Sequence, residues 1–195
     1  CGAMERRRIV SHKRMDGSRR GVLKRAAAMA AAPYIVPARV LGKDGAVAPG
    51  NRITLGFIGV GCMGRGHVQC CLGYPDAQVL AVCDVDRWRR ENAKATVEER
   101  YAAQQPGGKY QGCQAYTDLR ELLARDDIDA VVIATGDRWH GPATVMAARA
   151  GKDIYCEKPV SLTIREAQAM VEAVRRYGRV FQSGLQQRST PEFRK

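Results

Sequence analysis

The residues best placed to do chemistry begin with three glycines, Gly59, Gly61 and Gly64, in the run ITLGFIGVGCMG over residues 53–64. A short apolar stretch precedes them and a helical pattern follows. In a strand-to-helix turn of this kind the first glycine permits the tight turn and the second lets backbone approach a diphosphate. The third lets the helix pack closely on the strand. The diphosphate then rests at the helix N-terminus, where free N–H groups and the helix dipole favour an anion. Glycine is common in this chain, 20 of 195 residues, so the spacing alone is a weak signal, and a tight turn without a ligand has the same glycines. The context strengthens it. A second apolar run, Gln78–Cys83, ends at Asp84, 25 residues beyond Gly59 and about where an acid accepts the ribose hydroxyls of an adenine dinucleotide. A carboxylate there suits the two free hydroxyls of NAD and repels the 2′-phosphate of NADP. Arg87, three residues on, is near enough to blunt that preference.

The elements that must position these groups follow from the same pattern. A helix is expected over Cys62–Leu72, stopped by Gly73 with Pro75 just beyond. Val79–Cys83 reads as a second strand and Arg87–Ala103 as a charged helix ended by Pro106-Gly107-Gly108. Gln111–Tyr116 reads as a short third strand, with Thr117-Asp118 capping a helix through Leu123. Ile128–Ala134 is nearly all apolar, as a parallel strand buried on both faces must be. A helix over Pro142–Ala150, a strand over Asp153–Cys156 and a helix running to about Tyr177 come next. Thr163 and Glu166 give that last helix a capping-box start, and Arg179–Gln182 is the expected sixth strand. Strands alternating with helices predict an α/β fold with a doubly wound, mainly parallel sheet, whose ligands bind beyond the strand C-termini. Polar and glycine-rich residues collect at those ends: Gly59–Gly64, Asp84–Asp86, Thr135–His140, Glu157–Pro159 and Ser183–Arg188.

The net charge of +12 invites a nucleic-acid reading, but its distribution opposes it. Residues 1–30 hold nine Lys or Arg against Glu5 and Asp16, so this short leader carries +7 and the other 165 residues only +5. In the leader, Ser18-Arg19-Arg20-Gly21-Val22-Leu23-Lys24 precedes an alanine-rich stretch, the layout of a targeting peptide and of the twin-arginine export signal in particular. Export to the periplasm is the expected localisation, with the cytoplasm the alternative if the leader does not work as a signal. No run of 18 apolar residues is present to span a membrane. Seven cysteines, an odd number without CxxC spacing, read as buried small hydrophobes and not as a disulfide framework. With three histidines no compact zinc set presents itself, and no metal site is expected.

By Glu157-Lys158-Pro159 the chain resembles the glucose–fructose oxidoreductase / inositol dehydrogenase family (Gfo/Idh/MocA). The resemblance runs from about Asn51 to the end and rests on ITLGFIGVGCMG, CDVD, YTDLRELL, IDAVVIATGDRWH, GKDIYCEKPVSLT and RVFQSGLQQRS in order. It implies a nicotinamide cofactor, NAD ahead of NADP, held by a Rossmann domain over residues 51–186. Residues 1–50 are then leader and linker, and 187–195 the start of a second α/β domain that is absent from this chain. By motif, Gly59, Gly61 and Gly64 would hold the diphosphate and Asp84 the adenosine ribose. Thr135 and the residues through His140 would line the nicotinamide side, with Glu157 beside the cofactor ribose and Gln182 near the nicotinamide. Lys158 is implied as the catalytic lysine, His140 as its companion and Arg188 as a substrate contact. Gly136 and Arg138 stand where proline and histidine are frequent in this subgroup, which leaves the shape of that wall open.

The implied activity is hydride transfer on a sugar, polyol or related hydroxy compound, with homo-oligomers formed through the second domain. Two alternatives stay open: a glycoside hydrolase that uses bound NAD transiently, and a non-catalytic remnant. The chain looks like the cofactor half of an enzyme, expected to be inactive by itself.

Overall fold

The structure, a computed structural model, describes residues 47–193 apart from Pro106. The twin-arginine leader and Cys1 lie outside the described residues. Among the described residues six strands form one sheet: β1 (Ile53–Ile58), β2 (Ala77–Cys83), β3 (Gln114–Tyr116), β4 (Ala130–Ile133), β5 (Asp153–Glu157) and β6 (Phe181–Gly184). Their order is β3-β2-β1-β4-β5-β6 and every neighbouring pair is parallel. The helices are α1 (Cys62–Cys71), α2 (Arg87–Ala102), α3 (Leu119–Leu123), α4 (His140–Arg149) and α5 (Ile164–Arg176). The winding reverses between β1 and β4, so the connections leaving their C-terminal ends diverge and open a crevice there.

Alternation along the strands builds two cores. Leu55, Phe57, Val79, Val82 and Val132 pack on one face with Val68 of α1, Leu72 at its C-terminal cap, and Ala93 and Val97 of α2. Ile58, Ala81, Cys83, Val131, Ile133, Ile154 and Cys156 pack on the other with Leu122, Leu123, Ala143, Ala147 and Ala173 of α3–α5. A sheet covered on both faces needs near-continuous apolar strands, as β4 and the end of β1 are.

Side-chain caps start three of the helices. Asp86 accepts the Arg89 N–H at 3.0 Å and Asp118 the Arg120 N–H at 2.9 Å, while Thr163 Oγ1 accepts the Glu166 N–H at 3.1 Å. The capping box is modified, because Glu166 reaches back to the Leu162 N–H, 2.9 Å away, one residue before the cap.

Several boundaries differ from expectation, β4 for one being Ala130–Ile133, shorter at both ends than the apolar run. β3 is only three residues long. Ahead of it the Tyr110 ring packs edge-on against Tyr101 of α2, centroids 5.0 Å apart, which ties that stretch to the helix and not to the ladder. β6 starts at Phe181, and just before it the Arg179 side chain donates to the Gly151 carbonyl and the Val180 N–H donates to Asp153. α4 begins at His140 after a short 3-10 turn, Asp137–Trp139, so Pro142 sits in the first helical turn, where its missing N–H costs nothing. Among the described residues no helix is long and apolar enough to cross a membrane.

Candidate functional site

The glycine turn lies at the reversal point of the sheet. Gly59 has φ +86°, a region most side chains avoid, and a Cβ on it would meet the Ala134 and Thr135 backbone at 2.7 Å. Gly64 is buried, and a Cβ on it would sit 3.0 Å from the Gly59 carbonyl carbon, so its hydrogen is what lets α1 seat on the β1 turn. Gly61 is the N-cap of α1 and carries no side-chain cap, which leaves the first N–H groups of the helix to an outside acceptor. Asp84 stands across the turn. Its carboxylate accepts the Val60 N–H at 2.9 Å and the Asp86 N–H at 2.9 Å, so the acid also fixes the loop it faces.

Gly59, Gly61, Asp84, Thr135, Gly136 and Trp139 share one cavity of about 630 Å³, whose far wall is Thr117–Arg120. That volume lies within the range of small-molecule sites, roughly 300–1,000 Å³. An adenine dinucleotide fits these residues. The glycine turn leaves the space a Cβ would fill, the helix start has no cap of its own, and the one side-chain atom near Gly61 is a cationic Arg89 nitrogen, 3.6 Å from where its Cβ would be. Arg89, and not Arg87, is the cation at this wall. The wall is cationic a second time at Arg120, whose guanidinium is held by Asp118 through contacts of 2.6–3.0 Å. Pairing with Arg120 holds the Asp118 carboxyl below its usual range.

The remaining expected residues form a second group at the ends of β5 and β6. Lys158 is exposed, and the peptide joining it to Pro159 is cis. Glu157 is buried at 4% exposure with both oxygens engaged inside the protein, one by His67 Nε2 at 2.7 Å and one by the Lys158 N–H at 3.1 Å. Gln182 and Arg188 are exposed, Gln182 donating to the Ser183 carbonyl at 2.9 Å. Lys158, Gln182 and Arg188 do not line the 630 Å³ cavity. The register puts Ile133 beside Cys156 and Glu157 beside Gly184, so the two groups follow each other along the C-terminal edge of the sheet.

His140 corrects an expectation. Expected among the catalytic groups, it is 2% exposed, with Nδ1 2.6 Å from the Pro159 carbonyl and Nε2 3.1 Å from the Thr135 carbonyl. Whichever nitrogen carries the proton, both lie against backbone carbonyls, so the ring bridges the end of β4 and the Lys158–Pro159 turn and is not among the residues lining the cavity. Its neighbour Trp139, 50% exposed, lines the cavity instead. His67, not among the residues expected at the site, holds Glu157. The available signal was its place three residues after Gly64 and one before the buried Val68, on the inward stripe of α1.

The thiols divide by burial. Burial pushes Cys83 and Cys113 up to about 12 and Cys156 up to about 11, which keeps them protonated and unreactive. Cys62, expected in or beside the core, is exposed at the start of α1.

A parallel sheet reversed at β1 and β4, with a glycine turn and an acid at the reversal, defines a domain that binds NAD(P). The chain belongs to the Gfo/Idh/MocA oxidoreductase family, whose NAD-binding Rossmann-fold model matches residues 53–185. It is 33% identical over 145 residues to inositol 2-dehydrogenase 4 of Saccharopolyspora erythraea, covering 73% of this chain and 39% of that protein. It is 37% identical over 122 residues to glycosyl hydrolase family 109 protein 2 of Shewanella sp. (strain ANA-3), covering 63% of this chain and 26% of that protein. The crystal structure of myo-inositol 2-dehydrogenase from Lactobacillus plantarum superposes with a TM-score of 0.62 at 25% identity, over 73% of this chain and 39% of that one. The chain thus spans well under half the length of these relatives.

Proposed function

We propose that this chain supplies the cofactor-binding half of an NAD-dependent oxidoreductase acting on a sugar, polyol or related hydroxy compound. The observation that carries the reading is the convergence of Gly59, Gly61 and Asp84 on one cavity at the reversal of the sheet. Gly59, Gly61 and Gly64 with the start of α1 hold the diphosphate, and Asp84 the adenosine ribose. Thr135 stands on the nicotinamide side. When bound, the nicotinamide ring supplies a hydride acceptor or donor for a hydroxyl-bearing carbon. Lys158 Nζ, free in solvent at the β5 end, holds or moves the proton of the substrate hydroxyl. Glu157 orders the backbone of that turn from beneath, Gln182 stands on the nicotinamide side, and Arg188 contacts substrate. The described residues build one wall of the cleft, the one that holds the cofactor.

The test is fluorescence titration of the wild type and Asp84→Ala with NADH and NADPH. Loss of the hydrogen bonds to Val60 and Asp86 loosens the turn for both cofactors, while loss of the ribose acceptor weakens NADH alone. NADH affinity should fall tenfold or more beyond any loss for NADPH; equal losses would refute the assignment.

A second reading, an NAD-dependent glycoside hydrolase, is favoured by the 37% identity to the Shewanella glycosyl hydrolase family 109 protein. The two part on the cofactor: an oxidoreductase leaves it reduced after turnover, and the hydrolase returns it to NAD⁺. We also propose that the leader directs export to the periplasm by the twin-arginine route, on the strength of Arg19-Arg20 with Leu23-Lys24. Replacing both arginines by lysine should trap a reporter fusion in the cytoplasm, and continued export would exclude the route.

A further inference from the structure

The Glu157–Pro159 turn is pinned from both faces of the sheet by two histidines. From the α4 side His140 reaches the Pro159 carbonyl. From the α1 side His67 reaches across 90 residues of sequence to Glu157 Oε1, and its ring is braced edge-on by Tyr155, centroids 5.2 Å apart at 68°. The neighbouring Gly184 makes room for the Glu157 carboxyl, since a Cβ at that position would lie 2.9 Å from its Cδ. Its second oxygen accepts the Lys158 N–H at 3.1 Å. The contacts therefore form a chain from α1 through His67 and Glu157 to the backbone of Lys158.

We infer that His67 is a positioning residue which sets the place of Lys158 relative to the nicotinamide half of the cofactor, acting through Glu157. The inference rests on the cofactor reading proposed above. Its physical content is that α1 carries the diphosphate site at its first residue and His67 in its second turn, so one rigid helix spaces the phosphate end of the cleft from the lysine turn. A buried carboxyl that loses a partner must move or rehydrate. Either response shifts the Lys158 amide, while Gly59, Gly61 and Asp84, which lie in the cavity and touch neither His67 nor Glu157, stay in place.

The experiment compares NADH and ADP binding to the full chain in the wild type, His67→Ala and His67→Gln, with melting curves as a folding control. ADP reports on the adenosine and diphosphate half alone. His67→Ala should weaken NADH about tenfold, the size of one charge-assisted hydrogen bond, and leave ADP within twofold. His67→Gln, whose amide N–H can reach the same oxygen, should restore most of the loss. If His67→Ala unfolds, Glu157→Gln keeps the buried shape, weakens the same link and should show the same split. A wild type that binds both ligands, with NADH affinity unchanged in His67→Ala, overturns the inference alone. Equal losses for NADH and ADP also overturn it, since they mark a merely structural role. A wild type that binds neither ligand overturns the cofactor reading and the inference with it.

Discussion

Replacing Gly64 by alanine attacks the contact that seats α1 on the glycine turn. The new Cβ would lie 3.0 Å from the Gly59 carbonyl carbon, closer still to its oxygen, and 3.6 Å from the Ala134 Cβ. Carbon contacts settle at about 3.5–4.0 Å, so the helix must back away by roughly half an ångström or more. The obstacle is backbone and cannot rotate aside. Overpacking of this kind costs about 1–3 kcal/mol, offset in part by up to about 1 kcal/mol of helix propensity gained over glycine. A net loss of about 2 kcal/mol corresponds to a Tm lower by roughly 4–8 °C for a domain of this size. Cofactor affinity should fall further than stability, because the displaced helix start carries the N–H groups that face the diphosphate. Losing one hydrogen bond to a charged group, about 1.5–3 kcal/mol, weakens NADH tenfold to a hundredfold. The assay pairs circular-dichroism melting with NADH fluorescence titration, and Gly66→Ala is the control. Gly66 lies in the same helix with nothing within 4 Å of its Cβ position, so its alanine variant should gain about 0.5–1 kcal/mol. A Gly64→Ala protein that melts and binds like the wild type would refute the close seating of α1.

Three further outcomes are expected. Gly136 has φ −66° and ψ 148° with open space around its Cβ position, a backbone that proline fixes, so Gly136→Pro should raise Tm by about 1–4 °C in a melting experiment, through about 0.4–1 kcal/mol of unfolded-state entropy. Asp129 accepts the Thr54 N–H and hydroxyl, both at 2.8 Å, and these bonds hold its carboxyl below the usual range. A folded-state pKa below the unfolded one means its stabilisation is present above the ordinary carboxylate pKa and lost as pH falls through the lowered one, so the Tm difference between wild type and Asp129→Asn should shrink in acid melts. In timed alkylation read by mass spectrometry, Cys62 and Cys70 should label well before Cys83, Cys113 and Cys156, as their exposure and the raised thiols require.

The sheet was legible in the chain because its signals are local. ITLGFI and IDAVVIA are apolar runs of the kind a doubly covered strand uses, and Asp118 and Thr163 announce helix starts by their own chemistry. The glycine turn and Asp84 were legible for the same reason, each conformational demand falling on a residue suited to it. What stayed hidden depends on contacts between distant segments. Nothing near His67 in sequence says that its ring meets Glu157, and nothing near His140 says that its two nitrogens lie against the Thr135 and Pro159 carbonyls. Arg89 was passed over for Arg87 because which residue of a helix's first turn faces the cavity depends on its cap, here Asp86. The short β3 reflects the Tyr110 ring settling on Tyr101, a packing choice that strand propensity does not encode.

The most direct test of dinucleotide binding at the sheet reversal is a titration of the isotope-labelled chain with NAD⁺, followed by amide chemical shifts. Saturable shifts should concentrate at residues 59–64, at Asp84 and Val85, and at Thr135 and Gly136, and NADH should compete for them. No shifts at millimolar NAD⁺, or shifts confined to the apolar groove beside Met170 and Phe181, would contradict it.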